Sequence, residues 1–147
     1  MDKFDKLSLD TIGVHINLMA KEVARVESDH GFWDQDKWNG LHSTMERAHP
    51  IEGPTVTIPL ETYRRLVIME KIALCHAELS EFVEVMRKDS DKKSEKTPDH
   101  AAGAEELADA IIRILGVCKR LGYNIGKAVV DKNNYNITRP YKHGKRF

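Results

Sequence analysis

Four carboxylates stand out for their spacing. Glu78 and Glu81 lie in the run Leu74-Cys75-His76-Ala77-Glu78-Leu79-Ser80-Glu81-Phe82, and Glu106 and Asp109 lie in Glu105-Glu106-Leu107-Ala108-Asp109-Ala110-Ile111-Ile112-Arg113. Residues three apart on a helix occupy adjacent turns of one face, with Cβ atoms about 5 to 6 Å apart. Two carboxylates so placed repel each other in water, yet can share a divalent cation. Two such pairs on facing helices make a cluster of oxygen ligands suited to Mg²⁺, or to Mn²⁺ in its place. An ion held this way keeps coordination positions for water and phosphate oxygens, neutralises polyphosphate charge and lowers the pKa of a bound water. The chemistry favoured is phosphoanhydride hydrolysis. Acyl transfer would need a nucleophile with a matching base, and none is visible.

The two pairs sit in different surroundings. At 100° per residue, Leu74, Cys75, Glu78, Glu81, Phe82 and Val85 share one face, so the first pair interrupts an apolar stripe. A buried carboxylate without a partner is costly, and this placement asks for a metal ion or for a pairing with Arg or Lys. The second pair lies with Glu105 and Arg113 on the side opposite Leu107, Ile111 and Ile114, where a solvated polar face is the default. Glu84 and Glu105 read as surface charges.

The elements that must position these residues are helical. Leu9, Ile12, Ile16, Met19, Val23 and Val26 recur at spacings of three and four, which predicts an amphipathic helix over 9–26 capped by Ser8 or Asp10. Gly31, Gly40, Pro50, Gly53, Pro54 and Pro59 break the pattern up to residue 59, with a short helix predicted from Lys37 to Arg47. Phe32, Trp33 and Trp38 fall in this region, where they either stack on a planar ligand or plug the end of a bundle. A second helix runs from about Pro59 to Lys88; near 28 residues, it would be about 40 Å long. The polar stretch 88–100 reads as a mobile connection with no core of its own. A third helix follows over about 101–121, with Asp99 as its cap, Gly122 as its stop and Leu107, Ile111, Ile114, Leu115 and Cys118 as its apolar face. Asn124 caps a fourth helix over about 125–134, and the tail 138–147 is basic and irregular. No strand pattern persists, so the expected fold is all-α: a single domain over 1–147 built as a bundle of four main helices.

Composition narrows the partners. Lys plus Arg number 23 against 23 Asp plus Glu, and this zero formal net charge offers no global pull towards nucleic acid or membrane. No apolar run approaches the roughly 18 to 20 residues of a membrane span, and no signal-peptide core is present. Cys75 and Cys118 fall mid-helix among apolar neighbours, as buried thiols of a reducing compartment do, and the expected location is the cytoplasm. The seven histidines form no zinc spacing with the cysteines. Near the end, Lys132 and Asn136 share a helical face and Arg139 follows. They are either phosphate-binding donors or part of a frayed basic tail.

Taken in order, Glu78-x-x-Glu81, Glu106-x-x-Asp109, Lys132-x-x-x-Asn136-x-x-Arg139 and the closing His143-Gly144-Lys145 resemble the MazG-like branch of the all-α nucleoside triphosphate pyrophosphohydrolases. The similarity covers about residues 65 to 146, and more loosely Gly31-Phe32-Trp33-Asp34. The resemblance implies a helical bundle that binds Mg²⁺ through Glu78, Glu81, Glu106 and Asp109. It implies cleavage of a nucleoside triphosphate between its α and β phosphates, giving a nucleoside monophosphate and pyrophosphate, in control of nucleotide pools. Lys132, Asn136 and Arg139 would help bind the substrate; separately, if the aromatics stack on a ligand, Trp33 or Trp38 is expected against the base. Relatives of this type tend to pair, and Leu66, Ile68, Met69 and Ile72 are apolar positions left over for a partner, so a homodimer or homotetramer is expected. The alternative is a helical nucleotide-binding or regulatory module without turnover. Carboxylates at all four positions argue against it, since a pure binder could lose one.

Overall fold

A computed structural model of the chain describes residues 6–33, 58–89 and 91–140, with the side chains of 6–9 left aside. Four helices account for most of it: α1 Lys6–Asp29, α2 Leu60–Lys88, α3 Ala102–Arg120 and α4 Ile125–Ile137. The described residues contain no strand, only an isolated bridge between Lys93 and Ala101. The all-α, four-helix expectation holds. The helix expected over Lys37–Arg47, Trp38 and the end of the tail from residue 141 lie outside the described residues.

Helices α2 and α3 pack along each other, α1 lies against both α3 and α4, and α3 touches α4 only lightly. Two glycine turns set the corners. After α3, Gly122 takes φ 72°, Gly122 N–H bonds the Lys119 carbonyl at 3.1 Å and Tyr123 N–H bonds the Cys118 carbonyl at 2.9 Å. This paired closure satisfies orphan carbonyls and needs a left-handed residue, a role glycine fills without a Cβ penalty. Asn124 follows at once as the cap of α4, its side chain accepting from Lys127 N–H at 3.1 Å. The same closure ends α1, where Gly31 has φ 73°, Gly31 N–H reaches Ser28 O at 3.1 Å and Phe32 N–H reaches Glu27 O at 2.9 Å. That turn folds the chain back so that Trp33 lies over the last turns of α1.

Helix ends differ from the sequence expectation in two places. The first helix begins at Lys6, which puts Ser8 and Asp10 inside it. Ala101, not Asp99, occupies the cap position of α3, and no side chain caps it. The connection before it takes over that work. Ser94 is buried, its hydroxyl accepts from Lys96 N–H and Thr97 N–H and donates to Glu105, and Ala102 N–H bonds the Lys92 carbonyl at 2.8 Å. The stretch 91–100 is thus hydrogen-bonded onto the start of α3 rather than free of it. Glu105, expected as a surface charge, is its anchor, also pairing with Lys96 at 2.7 Å.

The apolar face assigned to α3 is divided. Leu115 and Cys118 are buried with Ala110 and Val117, whereas Leu107, Ile111 and Ile114 are exposed, Ile111 by 51%. The side that packs inward carries small residues and the polar groups Glu106, Asp109 and Arg113, none of which is fully exposed. Helix α2 likewise exposes Leu66, Met69, Ile72, Leu79, Val83 and Met86, with Met69 exposed by 66%. The buried hydrophobic side chains among the described residues are mostly small, and no large one is completely buried.

Candidate metal centre

Of the α2 face that periodicity assigns to Leu74, Cys75, Glu78, Glu81, Phe82 and Val85, all but the exposed Glu81 are turned inward. Cys75 and Glu78 are buried, and Leu74, Phe82 and Val85 are half-buried. Phe82 packs against Gly103, where an added Cβ would stand 3.2 Å from the ring, so α2 and α3 approach closely at this point. The close approach brings the acidic residues of the two helices together. One carboxylate oxygen from each of Glu78, Glu81 and Glu106 lies within 4.8 Å of the others, a spacing that a single divalent ion could bridge. Glu78 is buried, Glu106 half-buried and Glu81 exposed, so the cluster runs from the helix interface out to the surface. Asp109 is half-buried one turn beyond Glu106 and does not join the three. Its side chain is one methylene shorter than that of glutamate.

Electrostatics bear the mark of this crowding. Burial, then the neighbouring Glu81, Glu105 and Glu78 charges, push the Glu106 carboxyl above the ordinary carboxylate value, against the pull of Lys96. Lys96 itself is raised, first by its hydrogen bond to Glu105 and then by the charges of Glu105, Asp109 and Glu106. The buried Glu78 is paired. Arg113 donates to its Oε1 from Nε at 2.7 Å and from Nη2 at 2.6 Å. Of the two partners that its placement in an apolar stripe asks for, the structure supplies the arginine. The sequence carried a signal for this: Arg113 is seven residues, two turns, after Glu106 and so shares its face.

A cleft of about 270 Å³ opens beside the cluster, lined by Glu81 and Glu106 together with Glu84, Val85, Lys88, Asp89 and Lys92. Lys88 and Lys92, not singled out in the sequence, are the cations that line this cleft; Lys88 pairs with Glu84 at 2.7 Å and Lys92 with Glu95 at 3.2 Å. Lys132 and Asn136 line a separate groove on α4, where Lys132 Nζ lies 4.8 Å and the Arg139 guanidinium 5.9 Å from the Tyr135 ring. The structure therefore sets Lys132 and Arg139 over Tyr135, a side chain that sequence reasoning missed, with Asn136 beside Lys132 in the groove. It leaves them on a helix that packs on α1 rather than on α2.

Trp33 is 5% exposed. Its indole N–H donates to Glu27 Oε2 at 2.8 Å, and the Lys71 ammonium and Arg120 guanidinium stand over the ring at 5.5 and 5.0 Å. Of the two roles open to the aromatics, Trp33 occupies that of a plug, and Phe32 remains exposed beside His30. Cys75 and Cys118 are free and buried, with thiols pushed up by that burial, as expected of packing cysteines.

Comparison with known proteins adds no relative: no family model matches the chain, and neither a curated protein nor a solved structure matches it. Among the described residues, no helix is long and apolar enough to cross a membrane.

Proposed function

We propose that the chain is a Mg²⁺-dependent nucleotide pyrophosphohydrolase, cleaving a nucleoside triphosphate between its α and β phosphates to the monophosphate and pyrophosphate. What supports the reading is the convergence of Glu78, Glu81 and Glu106 oxygens within 4.8 Å at the α2–α3 interface. It agrees with the resemblance of the motif series to the MazG-like enzymes. Mg²⁺, or Mn²⁺, bound there would neutralise polyphosphate charge and acidify a water for in-line attack. The chain's own residues would supply the rest. Glu78, Glu81 and Glu106 would hold the ion with Asp109 as a fourth ligand one turn along, and Lys132, Asn136 and Arg139, which stand at α4 away from the cleft beside the cluster, would bind substrate as the resemblance implies. The cleft beside Glu81 and Glu106 is open on the surface and gives the polyphosphate an approach.

The same reading takes the chain to be a homodimer or a dimer of dimers acting in the cytoplasm on nucleotide pools. The support for assembly is the row of exposed apolar side chains on α2 and α3, Leu79, Val83 and Met86 on one and Leu107, Ile111 and Ile114 on the other. The Glu78–Arg113 ion pair favours a second reading, in which the acids hold the helices together and the chain binds nucleotide without turnover. A panel of ordinary and modified nucleotides, each assayed with and without Mg²⁺ for pyrophosphate release, separates the two. Metal-dependent release from at least one nucleotide is expected, and binding without release across the panel would leave only the second.

A further inference from the structure

Glu78 sits against two different demands. At 7% exposure it needs a partner whenever the cluster is empty, and Arg113 supplies one with two donors on a single oxygen. A divalent cation on the same carboxylate would place two positive groups side by side in a partly dry interface, where their repulsion is poorly screened. Arg113 has somewhere else to go. The Glu27 carboxylate of α1 lies against α3 at Gly116, three residues beyond Arg113, where an added Cβ would fall on the carboxylate itself. Gly116 and Arg113 share one face of α3, so Glu27 stands one turn along from the arginine. The one hydrogen bond drawn to the Glu27 carboxylate among the described residues comes from Trp33 Nε1 at 2.8 Å. Burial pushes the Glu27 carboxyl up, with Trp33, Lys71, Arg120 and Arg113 each pulling it down by less, so its ionised form is under-compensated. Cys75 feels Arg113, Glu78 and Glu27 together, which places the two acids and the arginine in one electrostatic neighbourhood.

We infer that Arg113 is a resident counter-ion, holding Glu78 while the acidic cluster is empty and exchanging to Glu27 when a divalent cation takes Glu78. The inference rests on the metal reading given above and adds to it how the site is regulated. Arg113 is a positioning residue: it acts on a ligand and does not touch the ion. The exchange strengthens the α1–α3 contact and changes the charge beside Trp33, so occupancy of the metal site is reported one turn further along α3, at its contact with α1.

The test uses the full chain with Trp38→Phe, so that Trp33 alone emits, and Mg²⁺ alone as the ligand. Calorimetry reads affinity and emission reads the exchange. Arg113→Met should bind Mg²⁺ about tenfold more tightly and lose the Mg²⁺-induced change in Trp33 emission. Glu27→Gln keeps an acceptor for Trp33 but removes the second berth, and should bind Mg²⁺ about threefold more weakly. In the Arg113→Met background, Glu27→Gln should have no effect. General electrostatics would instead give additive effects, and additivity overturns the exchange, as does an Arg113→Met protein that binds Mg²⁺ no more tightly than its parent. Should Arg113→Met fail to fold, Glu27→Gln decides: unchanged Mg²⁺ affinity overturns the exchange. Absence of Mg²⁺ binding in both parent and Arg113→Met overturns the metal reading and the exchange with it.

Discussion

Arg113 places both its Nε and its Nη2 on the same oxygen of Glu78, at 2.7 and 2.6 Å, across the α2–α3 interface. This pairing separates acids that look equivalent in the sequence. Glu78→Gln strips a partner from a guanidinium that is only 34% exposed, and should lower the stability of the metal-free chain by about 1 to 3 kcal/mol, less than for a fully buried pair. Glu106→Gln removes a charge crowded by Glu81, Glu105 and Glu78, and should leave stability unchanged or raise it by up to about 1 kcal/mol. Urea denaturation in the presence of a chelator measures both. Equal effects of the two amides would contradict the distinct surroundings described for them.

Glu27 gives a pH prediction. Its folded pKa is raised above the ordinary value of 4.5, chiefly by burial. Between the ordinary and the raised value the folded chain holds the proton more firmly than the unfolded chain, so stability falls as pH rises through that window. Glu106, raised in the same direction, adds to the decline, whereas Glu105 is lowered by Lys96 and Ser94 and matters only as pH falls through its depressed value. Glu27→Gln should flatten the decline above 4.5. In the Trp38→Phe chain, Trp33 emission should titrate with a midpoint above 4.5, because its N–H donates to this carboxylate. An emission profile flat across that range would show that the Glu27 proton is not where the geometry puts it.

Trp33 is packed, so its removal should be felt in stability. Trp33→Leu should cost about 2 to 4 kcal/mol, from lost contacts and from a Glu27 left without its donor. Thermal or urea unfolding checks this. A change in nucleotide KM with stability intact would instead point to contact with the base.

Much of the fold was legible because helix periodicity, Asn124 and Gly122 are local signals, each satisfied by groups within a few residues. The inward face of α2 was legible for the same reason. What the pattern could not give was which way a stripe looks. Leu107, Ile111 and Ile114 mark an apolar face of α3 as clearly as Leu115 and Cys118 do, but periodicity does not distinguish a chain's own core from a surface kept for a partner. The stretch around Ser94 reads as mobile because the bonds that tie it to α3, the Ser94 hydroxyl to Glu105 and Ala102 N–H to the Lys92 carbonyl, depend on how the loop closes, which composition does not encode. Arg113 was visible only as a polar-face residue, since its partner lies 35 positions earlier on another helix. Asp109 matched the motif spacing, yet only Glu106 of that pair joins Glu78 and Glu81, because spacing along one helix does not say which of two acids meets the neighbouring helix.

The exposed apolar rows predict assembly. Light scattering should give a multiple of the 16.8 kDa chain mass at micromolar concentration, and Val83→Asp or Ile111→Asp should lower it. A mass of one chain for the parent at every concentration would leave these side chains without a partner copy.

The most direct measurement is Mg²⁺-dependent pyrophosphate release by the parent chain, Glu81→Gln and Glu106→Gln, with Glu61→Gln as a surface control that alters only its exposed pairing with Arg65. The two cluster amides keep size and, unlike Glu78→Gln, leave the Arg113 pairing in place. Release by the parent, near-parental release by the control and a fall of about a hundredfold or more in both amides is the predicted result. Folded Glu81→Gln and Glu106→Gln chains that retain full Mg²⁺-dependent release would contradict the account.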